Sequence, residues 1–232
     1  VPANDLEALK KAINGNTCAV MLEPIQGEGG INLISPEYMK GVRELCDKEG
    51  IFLILDEVQS GLGRTGKLFA YQHFDVEPDI FTLAKALGGG FPIGAMCAKE
   101  YVAQAFEPGD HGSTFGGNPL ACAAGLAVMN TIFEEKLVEN SAKIGEYFIG
   151  QLNKLKEKYS FIAEIRGKGL MIGIELNNGK AKEIVTACFE NGYLVGNVGP
   201  NIIRVLPPLI VTKDDVDGFI KVLEDILSKF NS

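Results

Sequence analysis

Metal-ligating side chains are scarce in this sequence. Among its 232 residues there are two histidines, His73 and His111, and five cysteines. No two cysteines form a C-x-x-C pair, whereas zinc sites usually combine Cys, His or carboxylate ligands at short spacings. An odd number of cysteines, each within an apolar stretch, is typical of reduced thiols in a cytosolic protein. We therefore expect no metal centre and a cytoplasmic location.

Excess positive charge and long apolar runs are also absent. The net charge of −8 argues against nucleic acid as a partner, because phosphate binding favours a basic surface. No apolar run reaches the roughly 18–20 residues that span a membrane. The sequence opens with Val-Pro-Ala-Asn-Asp, without the basic and apolar regions of a signal peptide. It begins without methionine, and we expect it to be part of a longer chain.

Apolar runs that alternate with helical patterns predict an α/β protein. Ser35 and Pro36 form a strong helix start, and Gly50 is a natural helix end. The apolar runs are continuous, which is typical of a mainly parallel sheet buried on both faces. The predicted helices cover residues 6–13 and 36–49, and the predicted strands cover residues 17–22, 51–55, 80–83 and 93–97.

The pattern changes near residue 137. Residues 119–159 are mostly helical, and Gly145 and the charged stretch 134–136 predict two helical segments rather than one. Helices are predicted again over residues 180–190 and from Thr212, where Asp215 completes a capping-box spacing. We therefore predict part of a large domain over residues 1–137 and a small α+β domain over residues 138–232. The strands of the small domain are predicted at residues 162–165, 171–176, 193–195 and 202–205, with residues 166–169 joining the first two.

Asp56 directly follows a predicted strand, at the place where ligands bind in open α/β sheets. Its position alone gives equal weight to a functional acid and to one that only caps a turn or meets solvent. A few residues further on, residues 61–66 match G-x-G-x-x-G. A nucleotide-binding loop is the weaker interpretation, because Leu68 stands where a P-loop needs Ser or Thr and no long helix follows.

Lys85 lies in the apolar and glycine-rich stretch TLAKALGGGFPIG. A charged amine among apolar residues is costly, and desolvation makes the neutral, nucleophilic form more accessible. The three glycines that follow leave room for a flat ring. The alternative is a lysine that extends from a strand end into solvent, and the residues alone favour that alternative.

Two further groups of residues suit anionic ligands. Residues 111–119 read HGSTFGGNP, a hydroxyl- and glycine-rich turn that suits a phosphate, although N-capping is the commoner use. Arg204 is a lone cation in an apolar run, and Glu23 and Glu28 lie near the end of another predicted strand. A buried arginine needs a carboxylate, and a structural ion pair is favoured over a ligand on these residues alone.

Together these segments resemble the class III, ornithine-type aminotransferases. The combination is very specific, occurs in family order and covers the chain nearly end to end. It implies the α/β fold of the type I pyridoxal-phosphate (PLP) transferases, with part of the large, mainly parallel sheet domain followed by the small domain. The matching stretches are EPIQGEGG, LDEVQSGLGRTG, PDIFTLAKALGGGFPIGA, HGSTFGGNPLA, RGKGLMIGIEL and IIRVLPPL.

The resemblance implies a cofactor site. Lys85 would carry PLP covalently and act as general base and acid, and Asp56 would pair with the pyridine nitrogen. Val58 would pack on one ring face and Gln59 would contact the phenolic oxygen. The remaining residues implied at the cofactor are Glu57 and, at the phosphate of a neighbouring subunit, Thr114.

The resemblance also implies substrate-binding residues and a reaction. Ser113 would lie close to the substrate, and Arg204 would hold the α-carboxylate of 2-oxoglutarate or glutamate, with Glu28 as its alternative partner. The side-chain amine of N-acetylornithine would pass to 2-oxoglutarate in a homodimer, giving N-acetylglutamate semialdehyde and glutamate. Ornithine, succinylornithine and 4-aminobutyrate are alternative amine donors.

Two other classes of protein stay open at this point. The chain could be a nucleotide-binding protein that uses residues 61–66, or a fragment that only folds or dimerises. Complete family members carry upstream residues that contact the cofactor and the acylated substrate. We therefore expect this chain alone to be weakly active or inactive.

Overall fold

The computed structural model describes residues 1–230, and the last two residues of the predicted small domain lie outside them. No helix within that range is long and apolar enough to cross a membrane. Single 3₁₀ turns cover Ala70–His73 and Lys85–Gly88. The other elements are, in chain order, α1 (Leu6–Ala12), β1 (Ala19–Leu22), β2 (Ile25–Gln26), β3 (Asn32–Leu33), α2 (Pro36–Glu49), β4 (Phe52–Asp56), β5 (Ile80–Leu83), β6 (Ala95–Ala98), α3 (Glu100–Ala103), α4 (Pro119–Glu134), α5 (Leu137–Lys158), β7 (Ile162–Lys168), β8 (Met171–Leu176), α6 (Ala181–Glu190), β9 (Gly196–Val198), β10 (Ile202–Val205) and α7 (Lys213–Ser228).

The chain folds into two compact units. The first contains Val1–Ile25, Ile34–Leu62 and Lys67–Glu135, and the second contains the described residues from Lys136 onward. Two short segments that precede Lys136, Gln26–Leu33 and Gly63–Gly66, also belong to the second unit. The sequence pattern did not assign them there, since both lie within the predicted large domain. The predicted domain boundary between residues 137 and 138 stays a prediction.

The first unit is built around a four-stranded sheet in the order β1-β4-β5-β6. β1, β4 and β5 run parallel, and β6 pairs antiparallel with β5. Met39 and Val42 of α2 share a buried cluster with Leu53 and Leu55 of β4. Because each fully buried side chain of this kind contributes about 1.5–3 kcal/mol, the packing of α2 fixes the position of β4.

Helix α2 begins and ends as predicted. The Ser35 hydroxyl oxygen accepts a hydrogen bond from the Tyr38 N–H at 3.1 Å, and Pro36 occupies the first turn, where no N–H is needed. Gly50 closes the helix in the left-handed conformation with φ 67°, which glycine adopts without a steric cost. Local sequence therefore determines both ends of this helix.

One face of the first sheet carries exposed apolar side chains. Met21, Phe52 and Met96 are 59%, 39% and 51% exposed. The opposite face of β1 and β4 carries the buried cluster, to which α1 and α2 contribute. The expectation of a sheet buried on both faces stays a prediction.

The second unit contains an antiparallel sheet in the order β7-β8-β10-β9. Its core combines side chains from this sheet with side chains from α5, α6 and α7, including Phe148, Ile174 and Leu223. Helix α7 begins with the predicted capping box, in which Thr212 and Asp215 bond reciprocally. The unit has the α+β composition that the sequence pattern predicts.

Two strand predictions in the second unit are wrong. Residues 166–168 were expected in a connection, but β7 continues to Lys168. A strand was expected at residues 193–195, but β9 begins only at Gly196. The Tyr193 N–H instead bonds to the Cys188 carbonyl at 2.9 Å, and its ring packs on Phe219. Tyr193 therefore terminates α6 and packs on α7, although the apolar pattern of residues 193–195 predicts a strand.

Candidate active site

Asp56 is the last residue of β4, and its carboxylate is held in place by the backbone. Oδ1 accepts the Val58 N–H at 2.9 Å, and the side chain is half-buried. The Glu57 N–H, one residue on, bonds to the Thr82 carbonyl of β5 at 3.0 Å. Because β4 and β5 are parallel, their carboxyl ends meet at the same edge of the sheet. This edge is where ligands of open α/β sheets bind.

Lys85 emerges from the same edge, two residues after the end of β5. Its backbone has φ 44°, in the left-handed region, and it opens a 3₁₀ turn in which the Leu87 N–H bonds to the Ala84 carbonyl at 2.9 Å. A non-glycine residue in this region costs about 1–2 kcal/mol, and such strain is concentrated at functional sites. Lys85 is exposed, as expected for the interpretation that the residues alone favour, a lysine that extends from a strand end into solvent.

The glycines after Lys85 serve packing more than open space. A Cβ on Gly88 would lie 2.8 Å from Ile93 Cγ2, and a Cβ on Gly89 would lie 2.9 Å from Val128 Cγ2 in α4. Gly89 also has φ 58°, and only Gly90 has no neighbouring atom within 4 Å of its would-be Cβ. The glycines therefore let the Lys85 turn pack against its surroundings.

Glu57 follows Asp56 but points into the protein. Its carboxylate accepts the N–H groups of Ala70 and Tyr71 at 3.0 and 2.8 Å and the Ser60 hydroxyl at 2.6 Å. Burial raises the pKa of the Glu57 carboxyl, and these three donors oppose that shift. Glu57 therefore holds the loop that follows Asp56. Val58 and Gln59, the next two residues, are half-buried. The cofactor-binding roles of Glu57, Val58 and Gln59 stay predictions.

Ser113 and Thr114 lie in an exposed loop before α4. The Ser113 hydroxyl oxygen accepts the Gly116 N–H at 2.9 Å. The cap of α4 is Asn118, whose side chain accepts the Ala121 N–H at 2.9 Å, and Pro119 opens the helix. Asn118 is therefore the N-cap of α4, and the Thr114 hydroxyl does not cap this helix.

Arg204 and Glu28 form an ion pair within the second unit. Arg204 Nη1 lies 2.5 Å from Glu28 Oε1 and donates to the Gly27 carbonyl at 3.2 Å. The arginine side chain is 18% exposed and the glutamate 70%. The arginine is therefore fixed on β10, while its partner reaches it from the solvent side.

Contacts of Arg64 and Thr65 with residues later in the chain fix the glycine-rich loop, residues 61–66. Arg64 donates to the carbonyls of Leu170 and Pro207, and its own carbonyl accepts the Ser141 hydroxyl and the Leu170 N–H at 2.9 Å each. Burial lowers the pKa of Arg64 to about 10. A Cβ on Gly169 would lie 2.4 Å from the Thr65 carbonyl carbon. These contacts give no support to a nucleotide-binding loop.

Thr82 is a polar residue of this site that the sequence analysis missed. It pairs with Asp56 in the β4–β5 register, so the two side chains point to the same face. Its Oγ1 is buried and has no hydrogen-bond partner among the described residues. A buried hydroxyl without a partner is unfavourable, and a bound polar group could satisfy it. The available signal was a threonine in an otherwise apolar strand.

Comparison with known proteins identifies the family. The aminotransferase class-III family matches residues 2–227, and the chain belongs to this family. It is 55% identical to the acetylornithine aminotransferase of Caldanaerobacter subterraneus subsp. tengcongensis, over 99% of this chain and 58% of that relative. It is 53% identical to the protein of the same name from Methanocaldococcus jannaschii, over 99% of this chain and 57% of the relative.

Solved structures agree with this assignment. The acetylornithine aminotransferase of Elizabethkingia anophelis matches with a TM-score of 0.94 and 42% identity, covering 99% of this chain and 59% of that structure. An ornithine aminotransferase from Plasmodium yoelii matches with a TM-score of 0.94 and 40% identity, covering 99% and 62%. These similarities confirm the predicted α/β fold of the type I PLP transferases. The chain spans about 58% of the length of its curated relatives.

The residues at the sheet edge fit PLP, the cofactor of this family. The group needs a carboxylate at its ring nitrogen, an amine for covalent attachment and polar donors at its oxygens. Asp56 and Lys85, a carboxylate and an amine that follow neighbouring strands, are groups of the first two kinds. The buried, unpartnered Thr82 hydroxyl adds a polar atom on the Asp56 face.

The Glu57 contacts lead to a stability prediction. Glu57→Ala would remove the acceptor of the Ala70 and Tyr71 N–H groups. We expect the free energy of unfolding to fall by about 1–3 kcal/mol for each buried donor left without an acceptor, as measured by denaturant titration. Because the pKa of Glu57 is raised in the folded state, the difference from the wild type should widen as the pH falls from neutral through that pKa.

Glu77→Ala is the matched control. The Glu77 side chain is 78% exposed, with a 3.7 Å contact to Lys99. We expect it to change the free energy of unfolding by less than about 0.5 kcal/mol. Equal effects of the two substitutions would contradict the role assigned to Glu57.

Proposed function

We propose that the chain is part of a PLP-dependent aminotransferase that moves the side-chain amine of N-acetylornithine to 2-oxoglutarate. The products would be N-acetylglutamate semialdehyde and glutamate. The observation that carries the proposal is that Asp56 and Lys85 follow two parallel neighbouring strands to the same edge of the sheet, in a chain 55% identical to an acetylornithine aminotransferase. Because the chain spans 58% of that relative, the activity would belong to a longer protein.

Asp56 and Lys85 would carry the chemistry. PLP, when bound, supplies an electron-accepting ring that stabilises negative charge on a substrate carbon. Asp56, oriented by the Val58 N–H, would hold the ring nitrogen in its protonated form. The Lys85 amine would hold the cofactor and, once released, take the proton from the substrate carbon that bears the amine and return it as general acid.

The neighbouring residues would position the cofactor and the substrate. Val58 would cover one ring face, and Gln59 would contact the phenolic oxygen. The buried carboxylate of Glu57 would hold the loop that carries both residues. Thr114 would bind the phosphate of the neighbouring subunit, and Ser113 would lie near the substrate. Their half-buried or exposed positions next to Asp56 and before α4 support these roles.

Arg204 and Glu28 would let one protein accept two kinds of substrate. Arg204 would bind the α-carboxylate of 2-oxoglutarate or glutamate through its planar fork. Glu28 would pair with Arg204 when the other substrate is present. The contact between Arg204 Nη1 and Glu28 Oε1, together with the 70% exposure of Glu28, supports an exchange of this kind.

The active form would be a homodimer, because Thr114 is proposed to serve the cofactor of the neighbouring subunit. Helix α4 and the loop before it support an interface here. Leu120, Leu126 and Phe133 of α4 are 64%, 63% and 57% exposed, and Phe115 is 81% exposed. Large exposed apolar side chains concentrated in one helix and the loop before it are typical of an interaction site.

Covalent trapping tests the cofactor assignment. The chain, and a version extended by its upstream part, would be incubated with PLP, reduced with borohydride, digested and analysed by mass spectrometry. We expect the phosphopyridoxyl group on Lys85 in the extended protein, and its loss in Lys85→Ala. The matched control Lys99→Ala should keep the label. A label on no lysine, or one spread over surface lysines, would reject the assignment.

The ion pair of Arg204 leads to a second test. In Glu28→Ala the arginine loses its internal partner, so the half-reaction with 2-oxoglutarate should gain relative to that with the amine donor. Exposed ion pairs contribute at most about 1 kcal/mol, so we expect a two- to fivefold change in the ratio of the two kcat/KM values. The exposed Glu183→Ala, on α6, should leave the ratio unchanged. An unaltered ratio in Glu28→Ala would rule out the exchange.

Ornithine is the alternative donor with specific support, because ornithine aminotransferases are among the similar solved structures at 40% identity. The two donors would be compared in the extended protein by their kcat/KM values with 2-oxoglutarate, alongside succinylornithine and 4-aminobutyrate. We expect N-acetylornithine to be preferred at least tenfold, which corresponds to about 1.4 kcal/mol. A higher value for any other donor would replace the proposed substrate.

A further inference from the structure

The turn that carries Glu28 is held by a second arginine, Arg166 of β7. Its Nε donates to the carbonyls of Gly30 and Ile31 at 3.1 Å each, and its Nη2 donates to the Gly30 carbonyl at 2.8 Å. The remaining nitrogen, Nη1, contacts the carboxylates of Glu164 and Glu175. The Arg166 side chain is 11% exposed, and two of its three guanidinium nitrogens, Nε and Nη2, bind this turn.

The backbone of the turn is unusual and needs such a restraint. Ile31 is fully buried with φ 59°, and a β-branched residue with a positive φ is an outlier. Gly30 has φ 108°, and a Cβ there would lie 2.4 Å from Ile202 Cδ1. A conformation of this kind persists only where its surroundings fix it, and the Arg166 fork binds the two carbonyls at its centre.

Arg166 and Arg204 lie on either side of one glycine. In the sheet register, Gly173 of β8 pairs with Arg166 of β7 on one side and with Arg204 of β10 on the other. A Cβ on Gly173 would lie 3.1 Å from Ile31 Cβ and 3.4 Å from the Gly30 carbonyl oxygen. The missing side chain thus makes room for the turn to lie on the sheet between the two arginines.

The two arginines hold different parts of the turn. Arg204 contacts the Glu28 carboxylate and the Gly27 carbonyl, whereas Arg166 contacts the carbonyls of Gly30 and Ile31. Of the two Arg204 contacts, the one to Glu28 involves an exposed side chain that a substrate carboxylate could displace. The Arg166 contact runs through the backbone and would persist after that displacement.

We propose that Arg166 is a positioning residue that fixes the backbone of the Glu28 turn, so that Glu28 can leave Arg204 and return to the same place. The inference rests on the proposed function, in which Glu28 and a substrate carboxylate compete for Arg204. Arg166 contributes no contact to the substrate in this scheme. It acts through Glu28, and Gly173 provides the surface on which the turn lies.

A double-mutant cycle in the extended protein separates positioning from a general structural role. Arg166→Met should shift the ratio of kcat/KM for 2-oxoglutarate and for the amine donor in the same direction as Glu28→Ala, by about two- to fivefold. Combined with Glu28→Ala, it should add no further shift, because the residue through which it acts is gone. Arg166→Lys should shift the ratio too, since a lysine keeps the charge but not the fork.

An unchanged ratio in Arg166→Met, or shifts that add in the double variant, would overturn the proposal. Lys168→Met, two residues further along β7 on the same face, is the matched control and should leave the ratio unchanged. If Arg166→Met does not fold, Gly173→Ala replaces it. Its added methyl group would press on Ile31 and should shift the ratio in the same direction while Arg166 is intact.

Amide hydrogen exchange gives a readout that needs no catalysis. In Arg166→Met, peptides covering residues 27–33 should exchange at least about tenfold faster than in the wild type, while peptides of α6 keep their rates. Unchanged exchange in residues 27–33 would overturn the positioning role whatever the activity. If exchange rises but the wild-type protein transfers no amine, the proposed function fails and the structural restraint stands.

Discussion

The parallel pairing of β4 and β5 is the constraint on which the candidate site depends. Two parallel strands bring their carboxyl ends to one edge, and Asp56 and Lys85 are the residues that this edge presents. Neither side chain needs a direct contact with the other to be brought to that edge. The buried leucines of β4 and the packing of α2 hold the pairing in register, so an apolar core on one face determines where the polar residues emerge.

Elements with local signals were predicted well from the sequence. Ser35, Pro36 and Gly50 determine both ends of α2 through capping and a positive φ, and Thr212 with Asp215 does the same for the start of α7. These signals act over a few residues, so they do not depend on distant parts of the chain. The family motifs located Lys85 and Asp56 in the same way, although their roles stay proposals.

Features that depend on distant contacts were not predicted. Arg166 was read as part of a connection, because its role depends on carbonyls more than a hundred residues earlier, with a separation of 136 positions to Gly30. The glycines after Lys85 were read as open space, whereas Gly88 and Gly89 lie against Ile93 and Val128. The unpartnered Thr82 hydroxyl became apparent only with the β4–β5 register. In each case the decisive neighbour is far away in sequence.

The interleaving of the two units has a consequence for biosynthesis. The chain passes between them after residues 25, 33, 62, 66 and 135, so the second unit is assembled from pieces made at very different times. At a translation rate of about 5–20 residues per second, the 136 positions between Gly30 and Arg166 correspond to on the order of ten seconds. The strained turn at Ile31 therefore leaves the ribosome long before the arginine that restrains it. Folding of the second unit must be largely a late event, because its core also needs side chains of α7, which is synthesised after the β7–β8 hairpin.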